Sequence, residues 1–232
     1  MPRPLKPSLV AVLALAAAAA GCSEEKPVYK PRGAPSAKAD LPPVPNVPKK
    51  PIKDGDAYTV WGASYYLRSR VHQKEVKGKE ITIVGYVVKT NLPDAPACAV
   101  HKAGKADPEG CSAPFPSFWI ADSKDADLRE AMQVKGWASN FAQIFDAIEH
   151  FDKEAKKDKP EPYTDTFWAV EIPNPLPMKG MKVKITGDYA TTFTKGSLGA
   201  EADPIMGMLT FKKWEILEKV EETALLPGMK KK

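Results

Sequence analysis

Three cysteines and three histidines in 232 residues are too few for a disulfide-dense scaffold or a Cys-rich multi-zinc module. No apolar run reaches the length of about 20 residues that a membrane-spanning helix needs. The longest, Leu9 to Ala20, has 12. There is no Gly-rich phosphate loop, no Gly-x-Ser-x-Gly elbow and no His-Glu-x-x-His pair. The sequence therefore carries no signature of the nucleotide-binding, serine-hydrolase or zinc-protease classes. It also lacks surplus positive charge in its body. The net +5 comes from Arg3 and Lys6, from seven basic against five acidic residues over 22–57, and from Lys230, Lys231 and Lys232. Residues 58–229 hold 22 basic and 24 acidic side chains, a net −2. Nucleic-acid binding is driven by Lys and Arg neutralising phosphates, so no physiologically meaningful nucleic-acid partner is expected.

What is present begins with an address. Arg3 and Lys6 precede the apolar run, which ends in Ala19-Ala20-Gly21-Cys22. A positive start, a short apolar stretch and small residues before a cut site describe a secretory signal. Its end resembles a bacterial lipoprotein lipobox, with Ala19 where that family usually has Leu. The resemblance implies that the Cys22 thiol carries diacylglycerol and that the signal is cut before it. Ser23 is not the Asp that retains such proteins in the inner membrane, so the outer membrane, periplasmic face, is the implied location. Two or three acyl chains hold stably where one holds only marginally. Residues 22–57 then form a Pro-rich tether, among the 23 prolines of the chain. In polyproline II, at about 3.1 Å per residue, it spans on the order of 100 Å. The expected organisation is a signal at 1–21, the lipidated tether at 22–57, one globular domain at 58–229 and a basic tail at 230–232.

In the globular part, Val60, Ala63, Leu67 and Val71 recur at helical spacing. They predict an N-terminal helix over Ala57–Glu75, capped by Asp54 or Asp56. Five strands are predicted from β-branched or alternating runs at 81–88, 118–122, 167–172, 181–189 and 207–217. Trp137, Phe141, Ile144, Ile148, Phe151 and Ala155 form a helical seam within Asp125–Lys157. Gly136 is expected to split that segment. The fold class is mainly β with helical additions, the helical insertion lying between strands two and three.

The runs Ile81-Thr-Ile83-Val-Gly85-Tyr-Val87 and Met181-Lys-Val183-Lys-Ile185-Thr-Gly187-Asp-Tyr189 resemble the first and fourth strands of an OB-fold of the tRNA-anticodon-binding type. There, glycines let the strands coil at the corners of a five-stranded barrel. The resemblance covers about 81–217. It implies ligand binding on the face of strands two and three, pointing to Trp119 and Trp168 with Tyr86 and Tyr189 beside them. Such rings suit a sugar as well as a base. The alternative is that Trp119 and Trp168 pack against the Trp137/Phe141 seam.

Cys98 and Cys111 lie 13 residues apart in a loop. In an oxidising compartment such a pair forms a disulfide, worth about 3 kcal/mol in the chain-entropy model. Alternatively Cys98, His101 and Cys111 supply three zinc ligands. His72 and His150 read as solvated. No cofactor is indicated. The sequence supports a non-enzymatic, lipid-anchored binding module with an envelope protein or glycan as partner. The rivals are an envelope enzyme acting on glycans, a nucleic-acid-binding OB domain, and a metal or redox protein using the Cys98/His101/Cys111 loop.

Overall fold

A β-branched run of alternating burial favours extended chain, and the longest such run sets the architecture. The computed structural model describes residues 50–194, 199–221 and 226–229. The signal, Cys22, most of the tether and the basic tail lie outside the described residues. In chain order the elements are β1 (Lys53–Asp54), β2 (Ala57–Thr59), α1 (Val60–Arg68), α2 (Gln73–Val76), β3 (Lys79–Thr90), β4 (Phe118–Ala121), β5 (Met132–Lys135), α3 (Phe141–Glu154), β6 (Lys182–Ala190), β7 (Thr192–Thr194), β8 (Ala200–Ala202) and β9 (Met208–Glu218). No helix among the described residues is long and apolar enough to cross a membrane.

Seven strands form one mixed sheet in the order β1-β2-β3-β4-β5-β9-β6, and β3 also pairs with β6. The pairings of β3, β4, β5, β9 and β6 thus run in a closed ring. β2–β3 and β5–β9 are parallel. β7 and β8 form a separate hairpin. Within the ring β3 serves two neighbours: Lys79 to Tyr86 pair with β6, and Tyr86 to Thr90 with β4. Along β6, Val183, Ile185, Gly187 and Tyr189 are buried while Lys182, Lys184, Thr186 and Asp188 are only half-buried. The ring interior is filled by Ile83, Val87, Phe118, Ile120, Met132, Val134, Val183, Ile185 and Leu209, all fully buried. Val60, Ala63 and Leu67 of α1 and Phe141, Ile144 and Ile148 of α3 join the same core. Each such aliphatic or aromatic side chain contributes about 1.5–3 kcal/mol on burial.

Several expectations are corrected. The N-terminal helix is shorter than Ala57–Glu75: residues 57–59 are β2, and the chain breaks between Arg68 and Gln73. Val71, read as part of its apolar seam, is 77% exposed. The cap is Thr59, whose side chain accepts from Gly62 N at 2.8 Å, while Asp56 instead pairs with Lys184. Asp125–Lys157 is not one helical segment. Met132–Lys135 is a strand, Gly136 turns the chain at φ 79°, and the helix begins only after Asn140, whose side chain accepts from Gln143 N. Trp137 is fully buried, but from outside the helix.

The third expected strand is also replaced. Residues 166–168 form a turn, with only a bridge between Thr164 and Glu171. The Asp165 carboxylate accepts from Phe167 N at 2.9 Å and Trp168 N at 2.7 Å. These local bonds compete with a sheet ladder for the same donors. The long helix consequently lies between the third and fourth strands of the ring, not between the second and third.

Two sheet backbones approach closely at Gly187, where a Cβ would sit 2.1 Å from Thr210 O. Gly187→Ala is expected to lower unfolding stability in urea by about 2 kcal/mol or more, since overpacking against backbone leaves nothing to yield. Gly110→Ala meets open space at φ +81° and is expected to cost only the left-handed conformation, about 1 kcal/mol.

Candidate functional site

α1 is amphipathic with an unusual outer face. Val60, Ala63 and Leu67 point to the core. Trp61, Tyr65 and Arg68, spaced i, i+4 and i+7, share another face. Trp61 stacks on Tyr65 with centroids 4.9 Å apart and ring planes 16° from parallel. The helix start is tied to the end of β4, because Asp122 accepts from Val60 N at 2.7 Å and Trp61 N at 2.9 Å. A carboxylate there also suits the positive end of the helix dipole.

Between α1, the β1 region, β3 and the segment after β4 lies a groove of about 780 Å³. That volume is in the range of small-ligand sites. Its walls carry Trp61, Tyr86, Lys53, Arg68, Lys182 and Asp122. Tyr86 is half-buried. Lys124 and Lys182 lie over its ring, 5.1 and 5.5 Å from the centroid, and its hydroxyl donates to Glu218 at 3.3 Å. Glu218 also meets Lys124 at 3.0 Å, which holds the Glu218 carboxyl below its usual range.

The four aromatic residues singled out from the sequence are not gathered in one place. Tyr86 lines the groove. Trp119 is half-buried on β4, packed with Val88, Ala121 and Ala131, with Lys89 Nζ 5.2 Å from its ring. It does not touch the Trp137 seam as one reading expected. Tyr189 is fully buried and its hydroxyl donates to Met206 O at 2.5 Å. Burial pushes its phenol far above the ordinary range. Trp168 sits elsewhere, in a cluster with Phe115, Phe193 and Phe167 at centroid distances of 6.3, 5.9 and 5.0 Å.

That cluster is presented by the Asp165 turn. Asp165 is fully buried and, besides the two amides of the turn, accepts from Ser139 N and Ser139 Oγ at 2.8 Å each. Ala169 follows at φ 53°, a strained value for a residue with a side chain. Phe167 at the tip is 74% exposed.

Cys98 and Cys111 are joined in a disulfide with Cα atoms 6.0 Å apart. Both sulfurs are consumed, which removes the thiolates the zinc alternative needs. The His101 ring is engaged as well. It bonds Lys102 O through Nδ1 at 2.9 Å and Asp107 through Nε2 at 3.0 Å. With both nitrogens facing acceptors, the Lys102 carbonyl first and then Asp107 raise its pKa. His72 pairs with Glu75 and stacks on Tyr66, and His150 bonds Glu161 O. No group of three metal-ligating side chains occurs among the described residues.

Trp61, Arg68 and Asp165 were not singled out from the sequence. An aromatic pair and an arginine at i, i+4, i+7, off the apolar seam, was the available signal for the first two. For Asp165 it was the run Asp-Thr-Phe-Trp, a carboxylate two and three residues before the amides it binds.

No family model matches the chain, and no curated protein sequence matches it. One solved structure with similarity is an OBody bound to hen egg-white lysozyme, at 14% identity and a TM-score of 0.27, covering 63% of this chain and 88% of that one. A likeness at that level supports no conclusion about fold or ligand.

Asp165→Ala is expected to lower stability by about 2–3 kcal/mol, because four donors lose a charged acceptor. Amide exchange at Phe167 and Trp168 should quicken with it. The His101 ring should titrate above the ordinary histidine range in an NMR pH series. With a raised folded pKa, its pairing helps the 98–111 loop fully below the unfolded pKa and fades as pH rises through the folded one. A His101 midpoint at or below that range would contradict the two-acceptor geometry.

Proposed function

We propose that this chain is a lipid-anchored envelope protein whose domain is an OB-like binding module, working without catalysis at the periplasmic face of the outer membrane. The observation that carries the reading is the Cys98–Cys111 bond. Disulfides persist in oxidising compartments and are rare in the cytosol. The bond therefore agrees with the export address of Arg3, Lys6 and the run ending in Cys22.

The OB-like reading is supported by three features: the closed ring of pairings, a helix between the third and fourth ring strands, and tight glycines at Gly85 and Gly187. The binding role is supported by the groove beside α1, which collects rings and cations that the core does not use. The partner class is an envelope protein or a glycan.

Cys22→Ser is expected to yield a soluble periplasmic protein or an unprocessed precursor. Detergent phase partition of cell fractions reads this directly. A variant that still enters the detergent phase like its parent would remove the lipid anchor from the reading. Crosslinking in intact envelopes followed by capture of the full chain should return an envelope component. Recovery of only cytosolic material would sink the location.

A further inference from the structure

Several cations on the outer surface near the ring are matched by carboxylates. Lys184 meets Asp56 at 2.8 Å, Lys212 meets Glu80 and Asp188 at 2.8 Å each, and Lys124 meets Glu218 at 3.0 Å. The groove beside α1 holds Lys50 and Arg129 in such pairs, and three further cations as well. Lys53, Arg68 and Lys182 line it, and none has a carboxylate within ion-pair distance among the described residues. Arg68 uses only its Nε, donating to Ser64 O at 3.2 Å, and its outer nitrogens remain available. Lys53 and Lys182 rest over the rings of Tyr58 and Tyr86.

The carboxylates of the groove are few and partly committed. Asp122 accepts two backbone amides of α1, and Glu130 faces Lys50 at 3.4 Å. Asp54 lies on the wall without an ion pair among the described residues. Trp61 adds a flat apolar surface, backed by Tyr65, which does not line the groove. Nothing in the packing of α1 requires Trp61 and Arg68 on its outer face, since the core contacts come from Val60, Ala63 and Leu67.

Lys182 stands opposite Glu218 in the β6–β9 register but forms no ion pair with it, and cations outside ion pairs suit an acid. Arg in particular binds carboxylate or phosphate through two parallel hydrogen bonds. An indole face calls for a flat or weakly polar ring. Carboxylates interspersed among the cations disfavour a continuous polyanion and can accept from hydroxyls. We infer that this groove binds a short acidic saccharide, its acid groups meeting the cations, its hydroxyls the carboxylates, and one ring face lying on Trp61. The inference rests on reading the domain as a binding module, and it names the ligand class of that module.

The test is calorimetric titration of the full chain in detergent. The probes are a tetrasaccharide alternating glucuronate with N-acetylglucosamine, a phosphorylated hexose, a neutral N-acetylglucosamine tetrasaccharide, inorganic phosphate, and a single-stranded tetranucleotide. An acidic sugar should bind about tenfold or more tighter than the neutral one, and its affinity should fall with added salt. Whether the glucuronate or the phosphorylated probe binds tighter identifies the acid. Arg68→Gln combined with Lys182→Gln should erase the preference, and Trp61→Ala should weaken acidic and neutral sugars alike. An unchanged thermal midpoint shows that the variants fold. Equal binding of neutral and acidic sugars overturns the inference while leaving the binding module standing. So does inorganic phosphate binding as tightly as the sugars, or a tetranucleotide binding tighter. If no saccharide binds, the inference fails, and envelope crosslinking then decides the module reading separately.

Discussion

The ring of strands closes because two backbones can touch at Gly187. There the Thr210 carbonyl occupies the space a side chain would need, and the β6–β9 register slips between Thr186 and Gly187. The slip lets β6 coil away from one neighbour toward the other. β6 then reaches β3 over eight consecutive pairs, from Lys79↔Tyr189 to Tyr86↔Lys182. Gly85 plays a milder version of this part in β3, where a Cβ would lie 3.0 Å from Ala121 O and from Val60. Once the ring is closed its interior has a fixed volume, and Phe118, Met132, Ile185 and Leu209 fill it. Small changes of volume in such an interior are felt, because it is packed as densely as an organic crystal.

The same closure positions the groove. β3 leaves β6 and joins β4 at Tyr86, so this residue stands where the two halves of the strand diverge. β4 ends one residue before Asp122, and Asp122 captures the first amides of α1. α1 is held from its other side by the close approach of Gly62 to Ile52 and by Thr59, which bonds Pro51 O at 2.7 Å. Its apolar stripe must face the ring, which leaves Trp61, Tyr65 and Arg68 outside. The groove is therefore built from elements whose placement the core dictates, and only the identity of its outward side chains remains open to selection for a ligand.

The parts legible in the sequence are those where period and burial agree. β6 alternates cleanly over nine residues, and β3 and β9 are long, β-branched or aromatic-rich runs of twelve and eleven residues, so each stands out. β5 was hidden for two reasons. It has four residues, and it buries Lys135, which pairs with Glu201 and so breaks the apolar pattern. Its neighbours Trp137 and Phe141 fell on a helical spacing by coincidence. Residues 167–172 looked like a strand because Phe, Trp, Val and Ile favour one. The decisive group was Asp165, a polar side chain outside the run. At the candidate site Tyr86 was legible as an aromatic residue on a predicted strand. The partnership of Lys53, Arg68 and Lys182 was not, because they come from three elements that meet only in the closed fold.

Charge shows the same difference between a sum and an arrangement. The body carries a net −2, and that figure alone argues against any anionic ligand. A net charge, however, is felt only at distances where individual charges blur. At physiological ionic strength exposed charges are screened beyond roughly 8 Å. A small ligand inside a groove therefore responds to its walls, while a long polyanion crossing the surface also meets the carboxylates beyond them. The exposed ion pairs on β3, β6 and β9 are each worth little to stability, about 0–1 kcal/mol. Their larger effect is to cancel fields locally, and Lys53, Arg68 and Lys182 beside α1 stand outside such pairs among the described residues. A groove of that kind on a mildly acidic body favours a short, sparsely charged ligand over a nucleic-acid strand.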